Sequence, residues 1–204
     1  MLTTISGTHG SGKTTLAHSV AKVLTESHYN VKILESFSHS LIQRCKPFGI
    51  QSYDDINRLG FRKFFQILII SEIAKHVETI VLEHERDPNV VVISDRWFAD
   101  AYGYSSVELD AVDFNAWYDQ FRELVQHTNR AFAKIQVHNF TVDYQQLPLQ
   151  QKHTRATGSP EEVNAAILDY GYTPFSLIRE KSLEDRTQYI LRSIGVPNVV
   201  SPHN

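Results

Sequence analysis

The chain has 204 residues, of which 42 % are hydrophobic and 21 % are charged, and its formal net charge is −3. A chain of this length and composition can bury a full core as one globular domain. The negative charge argues against a strongly basic nucleic-acid-binding protein. The single cysteine, Cys45, excludes an internal disulfide and a multi-cysteine zinc site, and it fits a reducing cytoplasm.

The sequence predicts neither a secretory leader nor a membrane span. The chain enters a predicted strand at Leu2, without a charged and then apolar leader. Its most apolar run, residues 64–74, is interrupted by Gln66, Ser71 and Glu72 and is therefore too polar to cross a bilayer. We expect a cytoplasmic protein without a membrane partner.

Residues 7–14, Gly-Thr-His-Gly-Ser-Gly-Lys-Thr, fit the pattern G-x-x-x-x-G-K-[ST] of the phosphate-binding P-loop. A short apolar strand is predicted before the motif at 2–6, and a helix with one apolar face after it at 16–27. Glycines allow the backbone to wrap a phosphate closely with its N–H groups turned inward, and the helix N-terminus adds further N–H donors. We predict that this loop binds a nucleotide and does more than start a helix.

The polar residues of the motif have separate predicted roles. Lys13 is expected to reach the β- and γ-phosphates, and the Thr14 hydroxyl is expected to ligate Mg²⁺. His9 fills an unconstrained position of the motif, where a solvent-facing side chain is expected. The residues predicted to bind the nucleotide are Gly7, Thr8, His9, Gly10, Ser11, Gly12, Lys13, Thr14 and Thr15.

A second apolar run at 31–34 predicts a parallel strand that ends at Glu35. A carboxylate just past the carboxyl end of such a strand points into the crevice where open α/β sheets bind ligands. Glu35 is therefore a candidate general base, or a ligand of a Mg²⁺-bound water. The alternative is an exposed glutamate at a strand end.

A loop is predicted at 45–54 and a long helix at 55–85, with Gly60 placed to break or kink the start of the helix. The segment 57–66 combines two arginines, one lysine, three phenylalanines and a glutamine. Aromatic rings stack on bases, and arginine holds phosphates or stacks as a plane. Core phenylalanines beside solvated arginines explain the same segment equally well.

Residues 90–94 form the most continuous apolar run, which predicts a central parallel strand ending at Asp95 and Arg96. In P-loop nucleotide sites, an Asp after such a strand holds Mg²⁺ directly or through water, so Asp95 is predicted to share the metal with Thr14. No Glu follows Asp95 to activate water, and Arg96 suits the clamping of a phosphoryl group. This favours transfer to an acceptor over hydrolysis. The D-x-x-G match at 100–103 lacks a guanine-reading N-K-x-D partner, and we interpret it as chance.

The remaining predicted elements are a helix at 113–128, a strand at 133–137, a helix at 159–171, a strand at 175–178 and a final helix from Ser182 to about 194. Between them, residues 139–159 are polar and contain Lys152, His153 and Arg155. A lid that closes on a kinase site has this character, because it excludes water and brings basic groups to the developing charge. A flexible surface loop is the alternative.

Five strands alternating with helices, a P-loop after the first strand and Asp95-Arg96 after the third resemble the P-loop nucleoside and nucleotide kinases, particularly the thymidylate-kinase-like branch. The resemblance covers most of the chain from Met1 to Ile194. It implies a three-layer α/β fold, with a five-stranded parallel sheet in the order 2-3-1-4-5 flanked by helices. The whole chain, 1–204, would be a single P-loop kinase domain with its lid at about 139–159.

The same resemblance implies ATP and Mg²⁺ as cofactors. It implies that Lys13 and Thr14 contact the donor phosphates and the metal, and that Asp95 lies at the metal or the acceptor. Arg96 would contact phosphate, and Arg155 of the lid would contact the transferring group.

The acceptor remains open. A pyrimidine nucleotide of the thymidylate type, free or within DNA, is the first candidate. Some phage enzymes that resemble thymidylate kinases phosphorylate 5-hydroxymethyluracil in DNA, which would place this protein in a host cytoplasm. Residues 5–14 also look like small kinase domains related to ribosylnicotinamide kinase, and a nucleotide-switch ATPase is a further alternative. Homodimers are common in the resembling families and are an open alternative to a monomer.

Overall fold

The computed structural model of the chain describes residues 1–143, 145 and 159–196. Within these residues, five strands form one parallel sheet in the order β2-β3-β1-β4-β5. The strands are β1 (Leu2–Ser6), β2 (Val31–Leu34), β3 (Val91–Asp95), β4 (Val137–Val142) and β5 (Ser176–Ile178). The predicted α/β class and strand order are confirmed.

Eight α-helices of the described residues surround this sheet. They are α1 (Lys13–Glu26), α2 (Phe37–Cys45), α3 (Tyr53–Arg58), α4 (Arg62–Arg86), α5 (Phe98–Glu108), α6 (Ala111–Ala131), α7 (Pro160–Asp169) and α8 (Leu183–Ser193). A short 3₁₀ turn, Lys46–Phe48, follows α2 directly. The predicted start of α7 is confirmed, because Ser159 and Glu162 form a capping box before it.

The hydrophobic core lies on both faces of the sheet. On one face, Leu2 and Val92 pack with the buried stripes of α4, α5, α6 and α7. On the other face, Ile5 and Ile93 pack with α1 and α8. Alternate residues of one strand therefore serve opposite layers, which explains why β1 and β3 are buried along their whole length. The result is the expected helix–sheet–helix arrangement of three layers.

The predicted break at Gly60 is confirmed. Gly60 has a φ of +71°, a left-handed conformation that ends α3 before α4 begins. The region predicted as one helix at 55–85 is therefore two helices, of which α3 adds Tyr53 and Ile56 to the core and α4 packs along it.

The fourth strand lies further along the chain than the predicted 133–137. Residues after α6 first make a turn, in which Ile135 N–H donates to the Phe132 carbonyl at 2.9 Å. Pairing with β1 begins only at Gln136, whose carbonyl accepts from the Leu2 N–H at 2.8 Å, and it continues to Thr141 beside Ser6. The predicted bounds were wrong because they came from the apolar pattern of the sequence, whereas hydrogen bonds to β1 determine where the strand begins.

Two further corrections concern unpredicted helices and the lid. The helices α2 and α5 were not predicted from the sequence. Residues 139–142 of the predicted lid belong to β4, and most of the remaining lid segment, including Lys152, His153 and Arg155, lies outside the described residues. No helix in the described part of the chain has the length and apolar character needed to cross a membrane.

Candidate active site

The carboxyl ends of β1, β2 and β3 meet at one edge of the sheet and open into a cavity of about 780 Å³. The register places Ile5 beside Asp95 and Leu34 beside Ser94, so the residues that follow these strands are neighbours. Lys13, Thr14, Glu35, Asp95 and Arg96 all line the cavity. The structure therefore brings together these five of the predicted site residues.

The loop between β1 and α1 needs its glycines. Gly7, Gly10 and Gly12 have φ values of +148°, +76° and +81°, which other residues rarely adopt. A Cβ on Gly7 would lie 2.9 Å from Ser11 Oγ. Gly12 caps α1 without a side-chain hydrogen bond, so the first-turn N–H groups of α1 face the loop uncapped. Such a helix start is suited to an anion.

Lys13 lies across this loop. Its side chain is buried, and Nζ donates to the Thr8 carbonyl at 2.5 Å and to Ser11 Oγ at 3.3 Å. The cation is thus held over the loop whose N–H groups would cradle phosphate. Its contact with a phosphate stays a prediction.

Thr14 and Asp95 form a pair of oxygen ligands at the cavity wall. Thr14 Oγ1 donates to Asp95 Oδ2 at 2.5 Å. Asp95 is 3 % exposed, and its Oδ1 is buried without a hydrogen-bond partner among the described residues. A hydroxyl and a carboxylate are hard ligands that suit Mg²⁺, which usually takes one or two protein ligands plus phosphate oxygens. Within the described ranges, no cluster of three or more His, Cys, Asp or Glu could hold a metal unaided.

Arg96 is held in an uncommon conformation beside this pair. Its φ is +85°, and its backbone is fixed by a hydrogen bond from its N–H to the Ile5 carbonyl at 3.0 Å. The guanidinium lies 5.5 Å from the centre of the Tyr104 ring and 3.5 Å from Asp100 Oδ1. Burial alone would lower the pKa of Arg96, but Tyr104, Asp100 and Asp95 outweigh it and raise the pKa. Arg96 therefore remains a cation at the cavity.

Asp100 is a component of the site that was not predicted, because it begins the D-x-x-G match that we interpreted as chance. It is fully buried in the first turn of α5, where it accepts from the Gly7 N–H at 3.3 Å and the Trp97 N–H at 3.1 Å. Burial raises the pKa of this carboxyl, against the opposing effects of Lys13 and Arg96. Asp100 thus joins the P-loop to Arg96. Besides that match, its position at a helix N-terminus five residues after Asp95 is a signal, but that helix was not predicted.

The aromatic and basic segment 57–66 is divided by the structure. Phe61 and Phe64 are 48 % and 60 % exposed, whereas Phe65 and Gln66 are buried. Phe65 and Gln66 line a small niche of about 20 Å³ that Arg96 also lines. The Gln66 amide is occupied inside the protein, since Nε2 donates to Glu108 at 2.5 Å and Oε1 accepts from Ser105 at 3.0 Å. Of this segment, only Phe65 and Gln66 line the niche beside Arg96.

The remaining predicted residues fall in two groups, those of the P-loop and Arg155. His9, Gly10, Gly12 and Thr15 line the cavity, and His9 is exposed as expected. Arg155 lies outside the described residues, and its role stays a prediction. On the far side of the cavity, the turn between β5 and α8 adds Lys181, and the start of α8 adds Leu183 and Arg186, which no motif indicated.

The sheet order and the P-loop, with Asp95 facing Thr14, define a P-loop NTPase-type fold. No family model matches the sequence, and no curated protein matches it. Among solved structures, the chain is similar to the NadR protein in a crystal structure with NAD and AMP-PNP. The TM-score is 0.61 at 15 % sequence identity, over 97 % of this chain and 50 % of that chain. The chain thus spans about half the length of that neighbour, and the similarity shows the fold.

Proposed function

We propose that this protein is an ATP-dependent phosphotransferase of the P-loop kinase type. The observation that carries the proposal is the placement of Lys13, Thr14, Asp95 and Arg96 around one cavity. A cation over the loop and an oxygen pair beside it provide for a nucleotide phosphate chain and its metal. Arg96, where hydrolases often carry a catalytic Glu, adds positive charge for a phosphoryl group in transfer.

In this proposal, the loop amides and Lys13 hold the donor phosphates, and Thr14 and Asp95 hold Mg²⁺. The bound metal would neutralise charge on the phosphates. Lys13 Nζ donates to the carbonyl of Thr8, a residue of the loop that would surround the phosphates. When a nucleotide binds, Nζ would donate to a phosphate oxygen in place of this carbonyl. Catalysis would then depend mainly on positioning and charge stabilisation.

Glu35 is the proposed general base for a hydroxyl acceptor. It lines the same cavity as Arg96, directly after β2. A carboxylate there would accept the proton of the attacking hydroxyl, whereas an acceptor phosphate, already ionised, would need no base. Replacing Glu35 with Gln should therefore lower kcat by about 10²-fold or more for a hydroxyl acceptor and change little for a phosphate acceptor.

The acceptor that we propose first is a pyrimidine nucleotide of the thymidylate type, free or within DNA. The niche lined by Tyr53, Phe65, Gln66 and Tyr104 beside Arg96 supports an acceptor with a flat ring, although it must widen to admit a base. A ribosylnicotinamide-type acceptor is the second candidate, because the structurally similar NadR protein was crystallised with NAD.

A transfer assay tests the proposal. The protein is incubated with γ-labelled ATP, Mg²⁺ and three separate acceptor pools. These are pyrimidine nucleosides with their monophosphates, ribosylnicotinamide, and duplex DNA containing thymine or 5-hydroxymethyluracil. We expect label on one pool with wild-type protein and a loss of at least about 10²-fold with Lys13→Ala. Release of free phosphate without a labelled acceptor would contradict the kinase proposal and favour a nucleotide switch.

A further inference from the structure

Arg186 is a buried cation beside the P-loop that the steps above do not use. It lies in the first turn of α8, is 5 % exposed and lines the cavity. Its Nε donates to the Glu180 carbonyl at 2.6 Å, and its Nη1 donates to the Ser11 carbonyl at 3.4 Å. The side chain therefore connects the turn before α8 to the phosphate-binding loop.

The third nitrogen of this guanidinium, Nη2, is buried and has no hydrogen-bond partner among the described residues. Both partners of the other two nitrogens are neutral backbone carbonyls. Burial lowers the pKa of Arg186, and the Glu180 carboxylate only partly opposes this effect. An arginine buried in this way is costly unless another group supplies an acceptor and a negative charge.

The position of Arg186 indicates what that group is. A Cβ on Gly12 would lie 3.9 Å from Arg186 Nη1, so the guanidinium stands next to the residue that caps α1. Thr15 and His18 of α1 line the same cavity. In a P-loop, the backbone N–H groups cradle the α- and β-phosphates, whereas the lysine reaches the β- and γ-phosphates. Lys13 is therefore suited to the transferable end of the donor, and Arg186 to the end nearer the nucleoside.

We propose that Arg186 binds the α-phosphate of the donor nucleotide. This inference rests on the donor site of the proposed function. A guanidinium and a phosphate form charge-assisted hydrogen bonds, and Nη2 has the N–H groups to donate to one. The contact compensates the buried charge, and it adds to Lys13 and Arg96 a further cation from a distant part of the chain.

Binding measurements test this assignment without requiring catalysis. The dissociation constants of ADP, AMP and adenosine are measured by titration calorimetry with Mg²⁺ for wild type, Arg186→Met and Arg186→Lys. We expect ADP and AMP to bind about 10- to 100-fold more weakly to Arg186→Met, and adenosine to change by less than about threefold. Arg186→Lys keeps the positive charge but lacks the paired N–H donors of the guanidinium. Its loss of affinity for ADP and AMP should therefore be smaller than that of Arg186→Met. Arg192→Met, an exposed arginine of the same helix, is the matched control and should leave all three constants unchanged.

Two results would overturn the proposal. An equal loss of affinity for adenosine and for ADP would mean that Arg186 contacts the nucleoside or only supports the fold. Unchanged dissociation constants would mean that Arg186 connects α8 to the loop without contacting the nucleotide. Circular dichroism checks the fold, and if Arg186→Met does not fold, the comparison of ADP with adenosine is made on Arg186→Lys. Wild-type protein that binds ADP but transfers no label would refute the kinase proposal and leave this test valid.

Discussion

Asp100 and Arg96 form a buried ion pair in which each residue depends on the other. Asp100 is 0 % exposed and Arg96 is 9 % exposed, and Asp100 also accepts the Gly7 and Trp97 N–H groups. Replacing Asp100 with Ala leaves a cation and two N–H donors buried without this acceptor. We expect the free energy of unfolding, measured with urea, to fall by about 3–5 kcal/mol.

A variant that carries both substitutions, Asp100→Ala and Arg96→Met, shows whether the two residues depend on each other or whether each loss reflects packing alone. Adding Arg96→Met to Asp100→Ala should cost less than Arg96→Met alone, by about 1–3 kcal/mol. Asp119→Ala removes a carboxylate from an exposed pair with Arg122 and should have little effect. Additive losses would show that the two residues stabilise the fold independently.

At the scale of elements, the contact between α5 and α7 depends on one glycine. A Cβ on Gly103 would lie 2.4 Å from Ile167 Cγ1 and 3.2 Å from the Val163 carbonyl, which is backbone and cannot yield easily. Alanine favours a helix over glycine by about 1 kcal/mol. Overpacking typically costs more, so we expect Gly103→Ala to lower the free energy of unfolding by about 1–2 kcal/mol net.

A matched control and a rescue accompany this variant. A Cβ on Gly171 would meet nothing nearer than 3.9 Å, so Gly171→Ala should be neutral or slightly stabilising. Ile167→Ala removes the clashing atom, and Gly103→Ala should then cost less in that background than in wild type. A Gly103→Ala variant as stable as wild type would mean that the two helices separate without penalty.

The sequence predicted elements well where one segment carried its own pattern. The apolar runs of β1, β2 and β3 and the polar caps of α7 and α8 are local signals, and the structure agrees with them. The helix α5 contains Gly103, which in a sequence suggests a break but in the fold is the point of contact with α7. The helix α2 buries only Phe37 and Leu41, so its pattern was too short to recognise. Packing between distant segments determined both helices, as pairing with β1 determined β4.

At the scale of the whole molecule, the candidate site combines residues from distant parts of the chain. Lys13 could be predicted because it belongs to a motif with known spacing, and Asp95 and Arg96 because they end an apolar strand. Glu35 could be predicted because it follows a strand. Arg186 could not, since only the docking of α8 beside α1 brings it to Ser11. A sequence pattern relates residues that are close along the chain, whereas the contact between Arg186 and Ser11 forms only when the helices pack on the sheet.

A ligand that contacts segments from both ends of the chain should stabilise the fold as a whole. If the cavity binds Mg²⁺ and a nonhydrolysable ATP analogue, a concentration of 100 times Kd adds about 2.7 kcal/mol to the free energy of unfolding. For a chain of this size, that gain should raise Tm by about 5–10 °C in a thermal-shift assay. Lys13→Ala should lose most of the shift, because the cation over the loop is gone, and Arg192→Met should keep it. An equal shift with Lys13→Ala would place the bound nucleotide somewhere other than the P-loop.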